Sequence, residues 1–169
     1  MADYPVCCIV EVPITALNNL LDQARAGSEE LVPGSAHELS IVLTTTDGSS
    51  RLPDHATIPP LNDGFKPFVA SSLEDAAKVV GGAAYFAVLD RQSTTDESAV
   101  LVHRQGDGSL ATARATFKSV QLLLVSLSMA TLGFQEIKSI ADSQGGVYGR
   151  SPEAPRKGGP TPRMRLGGN

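Results

Sequence analysis

Apolar positions along this chain recur with two periods, and the switches between them divide it into elements. Val6-Cys7-Cys8-Ile9-Val10-Glu11-Val12 is a β-branched run of strand length. After Pro13, Ile14, Leu17, Leu20, Leu21 and Ala24 recur at helical spacing. This predicts a helix over 14–26, opened by the proline and stopped by Gly27. Leu39 to Thr45 reads as a second strand ended by the Asp47-Gly48 turn. Ser49 to Gly64 keeps no period and holds Pro53, Pro59, Pro60, Asn62 and Gly64, so it reads as a long loop, either a mobile surface segment or a lid. Ser71 and Ser72 stand three residues before Glu74 and Asp75, the spacing of a capping box, and a helix runs from there to Gly81-Gly82.

Ala83 to Asp90 is the strongest strand. It is apolar on both faces, the pattern of a strand in the middle of a covered sheet. Ala99–His103 and Leu110–Phe117 flank Gly106-Asp107-Gly108 as a β-hairpin. Ser119 to Leu132 is apolar almost all round but too short to span a bilayer, and reads as a buried helix or an oligomer contact. Phe134 to Asp142 forms a short amphipathic helix, and Gly145 to Gly149 a closing turn with a stub of strand. The order β-α-β-α-β-β-β-α-α predicts an α/β fold: a mixed sheet of about five strands flanked by about three or four helices, close to a thioredoxin-like connectivity.

Composition narrows the functional classes. The 169 residues, 41% hydrophobic and 19% charged, are enough for one domain with a real core. After Arg150 the pattern changes: residues 151–169 hold four prolines, four glycines and no apolar period. They read as a disordered basic tail on a single domain, 1–150. The tail carries +3 and the whole chain −4, leaving the domain at −7. That balance makes nucleic-acid binding by the whole chain an unfavoured reading; the tail alone offers a weaker one, as an adaptor for RNA or an acidic protein. No run approaches the roughly 18 apolar residues of a membrane span. The N-terminus shows no basic and apolar leader, so a cytoplasmic protein is expected. Cys7 and Cys8 are adjacent, point to opposite faces of a strand and form no Cys-x-x-Cys, so they read as packed thiols.

The candidate chemistry is sparse. His37, His55 and His103 have no metal-ligand spacing, and no nucleophile elbow, phosphate loop or dinucleotide fingerprint occurs, so neither a metal nor a cofactor is expected. The informative cluster is Asp90-Arg91-Gln92-Ser93-Thr94-Thr95-Asp96-Glu97, directly after the strongest strand. In open α/β sheets, ligands bind outside the carboxyl ends of strands. Asp90 and Asp96 then form a candidate acid/base pair, supplemented by His55 or His103. Arg91 is a candidate clamp for an anionic group, with the Ser93 and Thr94 hydroxyls beside it. The competing reading is a self-capped loop with Arg91 in a surface ion pair.

A resemblance rests on Leu89-Asp90-Arg91, Asp96, Val100-Leu101-Val102, Thr116-Phe117-Lys118, Leu127-Ser128-Met129-Ala130, Gly133-Phe134-Gln135-Glu136-Ile137 and Gly146-Val147-Tyr148-Gly149. Over residues 85–149 the chain resembles a family of small uncharacterised bacterial proteins with fungal relatives, a domain of unknown function. Where that family carries asparagines, this chain has Val125, Ser126 and Thr131, which makes the helix greasier. The resemblance implies a single domain ending near Arg150 and an intracellular protein, and it brings no activity with it. The leading functional expectation is a non-catalytic binding or interaction protein that self-associates as a homodimer through the Leu122–Leu132 helix, with a small molecule or another protein as partner. The alternative is a small cofactor-free enzyme, an isomerase, cyclase or dehydratase, using Asp90 and Asp96 in a pocket roofed by the 49–64 loop.

Overall fold

The strand that is apolar on both faces sits at the centre of a sheet covered on both sides. The structure, a computed structural model, describes residues 3–150. In chain order its elements are β1 (Tyr4–Cys8), α1 (Ile14–Leu31), β2 (Leu39–Ile41), β3 (Leu43–Thr44), β4 (Ser50–Arg51) and α2 (Leu73–Val79). β5 (Tyr85–Leu89), α3 (Ser93–Asp96), β6 (Ser98–Arg104), β7 (Leu110–Thr116), α4 (Phe117–Ser128) and α5 (Phe134–Ser143) follow. The main sheet has five strands in the order β2-β1-β5-β6-β7. β1 is parallel to β2 and β5, while β6 runs antiparallel to both β5 and β7. The basic tail expected over 151–169 lies outside the described residues.

Alternation along the strands builds two cores. Val6, Cys8, Ala87, Leu89 and Leu101 face a layer of α1, α4 and α5. Cys7, Phe86, Val88 and Val102 face α2 through Ala76, Ala77 and Val80. The adjacent cysteines therefore do point to opposite faces. Burial pushes the Cys7 thiol up to about 11 and Cys8 to about 12, so both stay protonated and unreactive at neutral pH. Ser72 caps α2 by accepting from the Asp75 amide at 3.1 Å, while the Asp75 carboxylate turns back to Ser71.

Several boundaries depart from the sequence pattern. α1 does not stop at Gly27 but runs on to Leu31. Gly27 is buried inside the helix where α1 crosses α4, and a Cβ there would overlap the Lys118 carbonyl. The glycine serves close approach rather than termination. The strand expected over 39–45 divides: β2 stays in the main sheet, whereas β3 pairs antiparallel with β4 in a separate two-stranded ladder. The turn that joins β3 to β4 and the turn that joins β6 to β7 share one device. Asp47 and Asp107 each accept from the serine amide two residues on, at 3.0 and 2.9 Å. The 49–64 loop closes a sheet edge. Thr57 donates its amide to the Leu39 carbonyl and accepts from the Ile41 amide, at 2.8 and 2.9 Å, which occupies the outer side of β2.

The apolar helix is covered from within the chain. Val120, Leu123, Leu124 and Leu127 are buried, and Val125 and Leu132 pack against the same core. Gln121, also buried, accepts from the Glu38 amide and donates to the Ala36 carbonyl, pinning the α1–β2 connection onto α4. Met129 alone among the large apolar residues of this segment is strongly exposed, at 68%. α1 lies against the Leu123–Leu127 side of α4, while Leu122 and Val125, on the stripe expected to form a homodimer contact, stay half-buried.

Gly27→Ala is expected to destabilise the protein by about 2–3 kcal/mol, the scale of overpacking a tight contact, because neither helix backbone can retreat without opening the core. Urea unfolding of the variant against the parent checks this. A loss under about 0.5 kcal/mol, the size of an ordinary surface change, would show that the crossing is loose.

Candidate functional site

The cluster after β5 is a network of ion pairs and hydrogen bonds that ties three strands' ends together. Asp90 follows the last residue of β5, and the chain then makes the single turn of α3, where the sequence predicts only a loop. Buried Ser93 donates its amide and hydroxyl to Asp90 Oδ1, both at 3.1 Å, and accepts from the Asp90 amide at 3.0 Å. The other Asp90 oxygen pairs with the Arg114 guanidinium, which reaches across from β7. Arg114 also donates to Ser98 Oγ at 3.0 Å, and Ser98 donates to Asp96 at 2.5 Å. Asp96 further accepts from Gln92 at 2.7 Å and from Arg150 at 3.0 Å.

Burial pushes both carboxyls up, but their partners more than offset it. The Arg114 and Ser93 hydrogen bonds hold Asp90 below the ordinary carboxylate range. Ser98, Gln92 and Arg150 do the same for Asp96. An acid/base pair needs environments that push two pKa values apart, and here both are pushed the same way. The sequence brought Asp90, Ser93 and Asp96 together correctly and missed Arg114, Ser98 and Arg150. One signal was legible: Arg114 is a lone long cation in the small-residue strand Leu-Ala-Thr-Ala-Arg-Ala-Thr, and a half-buried arginine needs a partner.

The other candidates lie elsewhere. Arg91 is exposed, its guanidinium pairs with no carboxylate among the described residues, and its carbonyl accepts from the Thr94 hydroxyl at 2.8 Å. Arg114, not Arg91, is the arginine that meets Asp90. His103 lies on an inner strand opposite Tyr85, stacked on that ring at 4.7 Å, with Phe134 at 5.3 Å on the same cluster. Tyr85 and Asp90 are at opposite ends of β5, about 16 Å apart at strand rise. His55 is exposed beyond the outer edge of β2, where its carbonyl accepts from Ser40 at 2.8 Å. The loop around it encloses a cavity of about 460 Å³ whose lining includes Arg51, Thr57, Ile58 and Phe65 but not Asp90 or Asp96. The pocket expected beneath the 49–64 loop therefore does not contain the paired carboxylates.

A second concavity stands at the carboxyl ends of β1 and β3. It holds about 610 Å³ between the turn Glu11–Ile14 and the segment 65–69. The sheet order makes β1 and β5 its switch point, because the chain leaves β1 toward β2 and returns past it to β5. The crevice between them is closed by Ile9 donating to the Leu89 carbonyl at 3.0 Å, so open space is left on the other flank of β1. Ile14, Phe65, Pro67 and Val69 are apolar members of its lining, and Lys66 and Glu11 are its charged members. No three His, Cys, Asp or Glu side chains among the described residues are placed to hold a metal ion, and no described helix is long and apolar enough to cross a membrane.

The network has a pH signature. Carboxyls held low in the fold return to about 4 in the unfolded chain, so their stabilisation is complete above that value and is lost as pH falls through the lowered folded values. Arg114→Gln is expected to cost about 2 kcal/mol at neutral pH, between an exposed and a buried pair, with the deficit shrinking toward about pH 2.5. Arg91→Ala should change stability by less than about 0.5 kcal/mol. Urea titrations of both variants at the two pH values check the assignment. Compared with family models, with curated proteins and with solved structures, the chain gives no match.

Proposed function

We propose that this chain is a non-catalytic binding protein whose ligand, a small molecule with an apolar body, occupies the groove between the Glu11–Ile14 turn and residues 65–69. The observation that carries this reading is the groove's makeup and place. It lies past the carboxyl end of β1, which runs parallel to both its neighbours in the main sheet, where the framework is rigid and the loops are free. Its volume of about 610 Å³ is of the size that small ligands fill. Val69 keeps 40% of its surface exposed there, an apolar side chain held out of the core by a backbone that pairs with Cys8. Lys66 and Glu11 supply opposite charges for orienting polar ends of a ligand.

The enzyme reading asks Asp90, Asp96 and a histidine to share a pocket, and the carboxylate network lies apart from His103 beside Tyr85 and from His55 in the 49–64 cavity. A cytoplasmic location and membership of the uncharacterised family remain parts of the proposal. Two free buried thiols and the convergence of Asp90, Asp96, Thr116 and Tyr148 at one end of the sheet support them. Self-association through α4 drops out of the reading, since α1 already lies on that helix.

Two measurements test it. Titration with the fluorescent apolar probe anilinonaphthalene sulfonate is expected to show saturable binding that Val69→Glu weakens about tenfold or more, since the variant places a charge against the probe's apolar body. Ile58→Glu, in the cavity of the 49–64 loop, should leave it unchanged. Weakening by Ile58→Glu alone would move the site to that loop. Sedimentation at micromolar concentration is expected to give a monomer of 17.7 kDa; a dimer abolished by Met129→Glu would restore α4 as the interaction surface.

A further inference from the structure

The two edges of the main sheet are closed by different means. On β2 the cover is the His55–Thr57 segment of a loop anchored at both ends within the domain. On β7 the cover is the last described stretch of chain. Tyr148 donates its amide to the Arg114 carbonyl at 2.8 Å and accepts from the Thr116 amide at 2.9 Å, forming a parallel bridge beside Ala115. This clasp is short and carried on glycines. Gly145, Gly146 and Gly149 all have positive φ, at 78°, 94° and 85°, conformations that glycine adopts without strain. Val147 is its one fully buried apolar anchor, and half-buried Tyr148 packs on the core beside it. Its end is held by two surface contacts: Gly149 donates its amide to Gln144 Oε1 at 2.8 Å, and half-exposed Arg150 reaches Asp96 at 3.0 Å.

Beyond the clasp the edge is open. Arg114 and Thr116 turn their backbone groups outward to Tyr148, so by ladder alternation Leu110 and Thr112 also face outward, and no described residue bonds to them there. We infer that residues 145–150 are a detachable edge cover, which opens as a local unit while the sheet stays folded. Opening bares the Arg114 carbonyl and the Thr116 amide, and so extends the free edge of β7 from Leu110 to Thr116. A segment with few buried contacts, glycine joints and two ladder bonds belongs to the low-stability end of a fold. The Asp96–Arg150 pair is the latch, and Asp96 is fixed in turn by Ser98 and Gln92.

Amide hydrogen exchange of the full-length chain tests this, under conditions where exchange reports the opening equilibrium. The Tyr148 and Thr116 amides are expected to exchange roughly tenfold or more faster than those of Cys7 and Val88 in the central strands. Arg150→Gln should speed them a further two- to fivefold or so, the weight of a half-exposed ion pair, and leave Cys7 and Val88 unchanged. Gly149→Ala, whose Cβ would stand 2.7 Å from Thr116 Oγ1, should speed them more than Arg150→Gln does. Two outcomes overturn the inference: Tyr148 exchanging as slowly as Val88, or either variant speeding all four amides equally, which would make the clasp part of the global unit.

Discussion

A strand that is apolar on both faces must be covered twice, and β5 imposes that requirement on the chain. Phe86 and Val88 need one layer, Ala87 and Leu89 another. The crossover from β1 to β2 places α1 on one face, and the return from β2 to β5 places α2 on the opposite face. Right-handed crossovers in opposite directions along a sheet put their helices on opposite sides. The reversal of direction is what makes β1 and β5 a switch point and leaves loop ends gathered at their carboxyl termini. Burial of Cys7 and Cys8 follows from the same constraint, because β1 is the neighbour that shares both layers.

The elements were legible wherever local periodicity agreed with tertiary demand. β5, the β6–β7 hairpin, α2 and α5 fall close to where the apolar pattern puts them, whereas β1 begins at Tyr4 and ends at Cys8 rather than running to Val12. The misreadings occur where one residue answers to a distant neighbour. Gly27 looks like a helix stop in one dimension, but its missing side chain is needed by the Lys118 carbonyl. The same fact explains the apolar helix. Read alone, α4 has one stripe too many for a sheet face to cover, and a second subunit is the economical answer. With α1 lying close against it, Leu123, Leu124 and Leu127 become intramolecular core, while Leu122 and Val125 stay half-buried and Met129 exposed. The close approach rests on a single glycine that sequence periodicity assigned to something else.

The site was half legible for a related reason. Asp90, Ser93 and Asp96 lie three residues apart in one short stretch of chain, so their association is local. Arg114 and Arg150 are 24 and 54 residues away from the carboxylates they meet, and only the β6–β7 register and the clasp bring them in. Without those arginines two nearby carboxylates resemble catalytic machinery. With them, each carboxylate is satisfied and held ionised, which is the electrostatics of a fastening. A half-buried charge network costs little when every member has a partner, and it fixes geometry in a place where apolar packing has ended.

The two halves of the chain consequently divide the work. Leu89–Arg91, Asp96, Thr116–Lys118 and Gly146–Gly149 converge on the fastening at the end of β5 and β7. The groove is built from residues 11–14, 44 and 65–69, all of which precede Tyr85. Fastening and groove are held by different elements, joined through the sheet between them and through α1, whose Asn19 donates to Glu97 at 3.3 Å. The second half of the domain is therefore frame: it sets which strand ends are tied and how the edge of β7 is closed. In the proposed function, ligand choice belongs to the turn after β1 and to the segment before α2. Val12, Ile14 and Phe65 also pack on the core beneath α1, so Glu11, Lys66 and Val69 are the groove positions that can change while both cores and the ion-pair network keep their contacts.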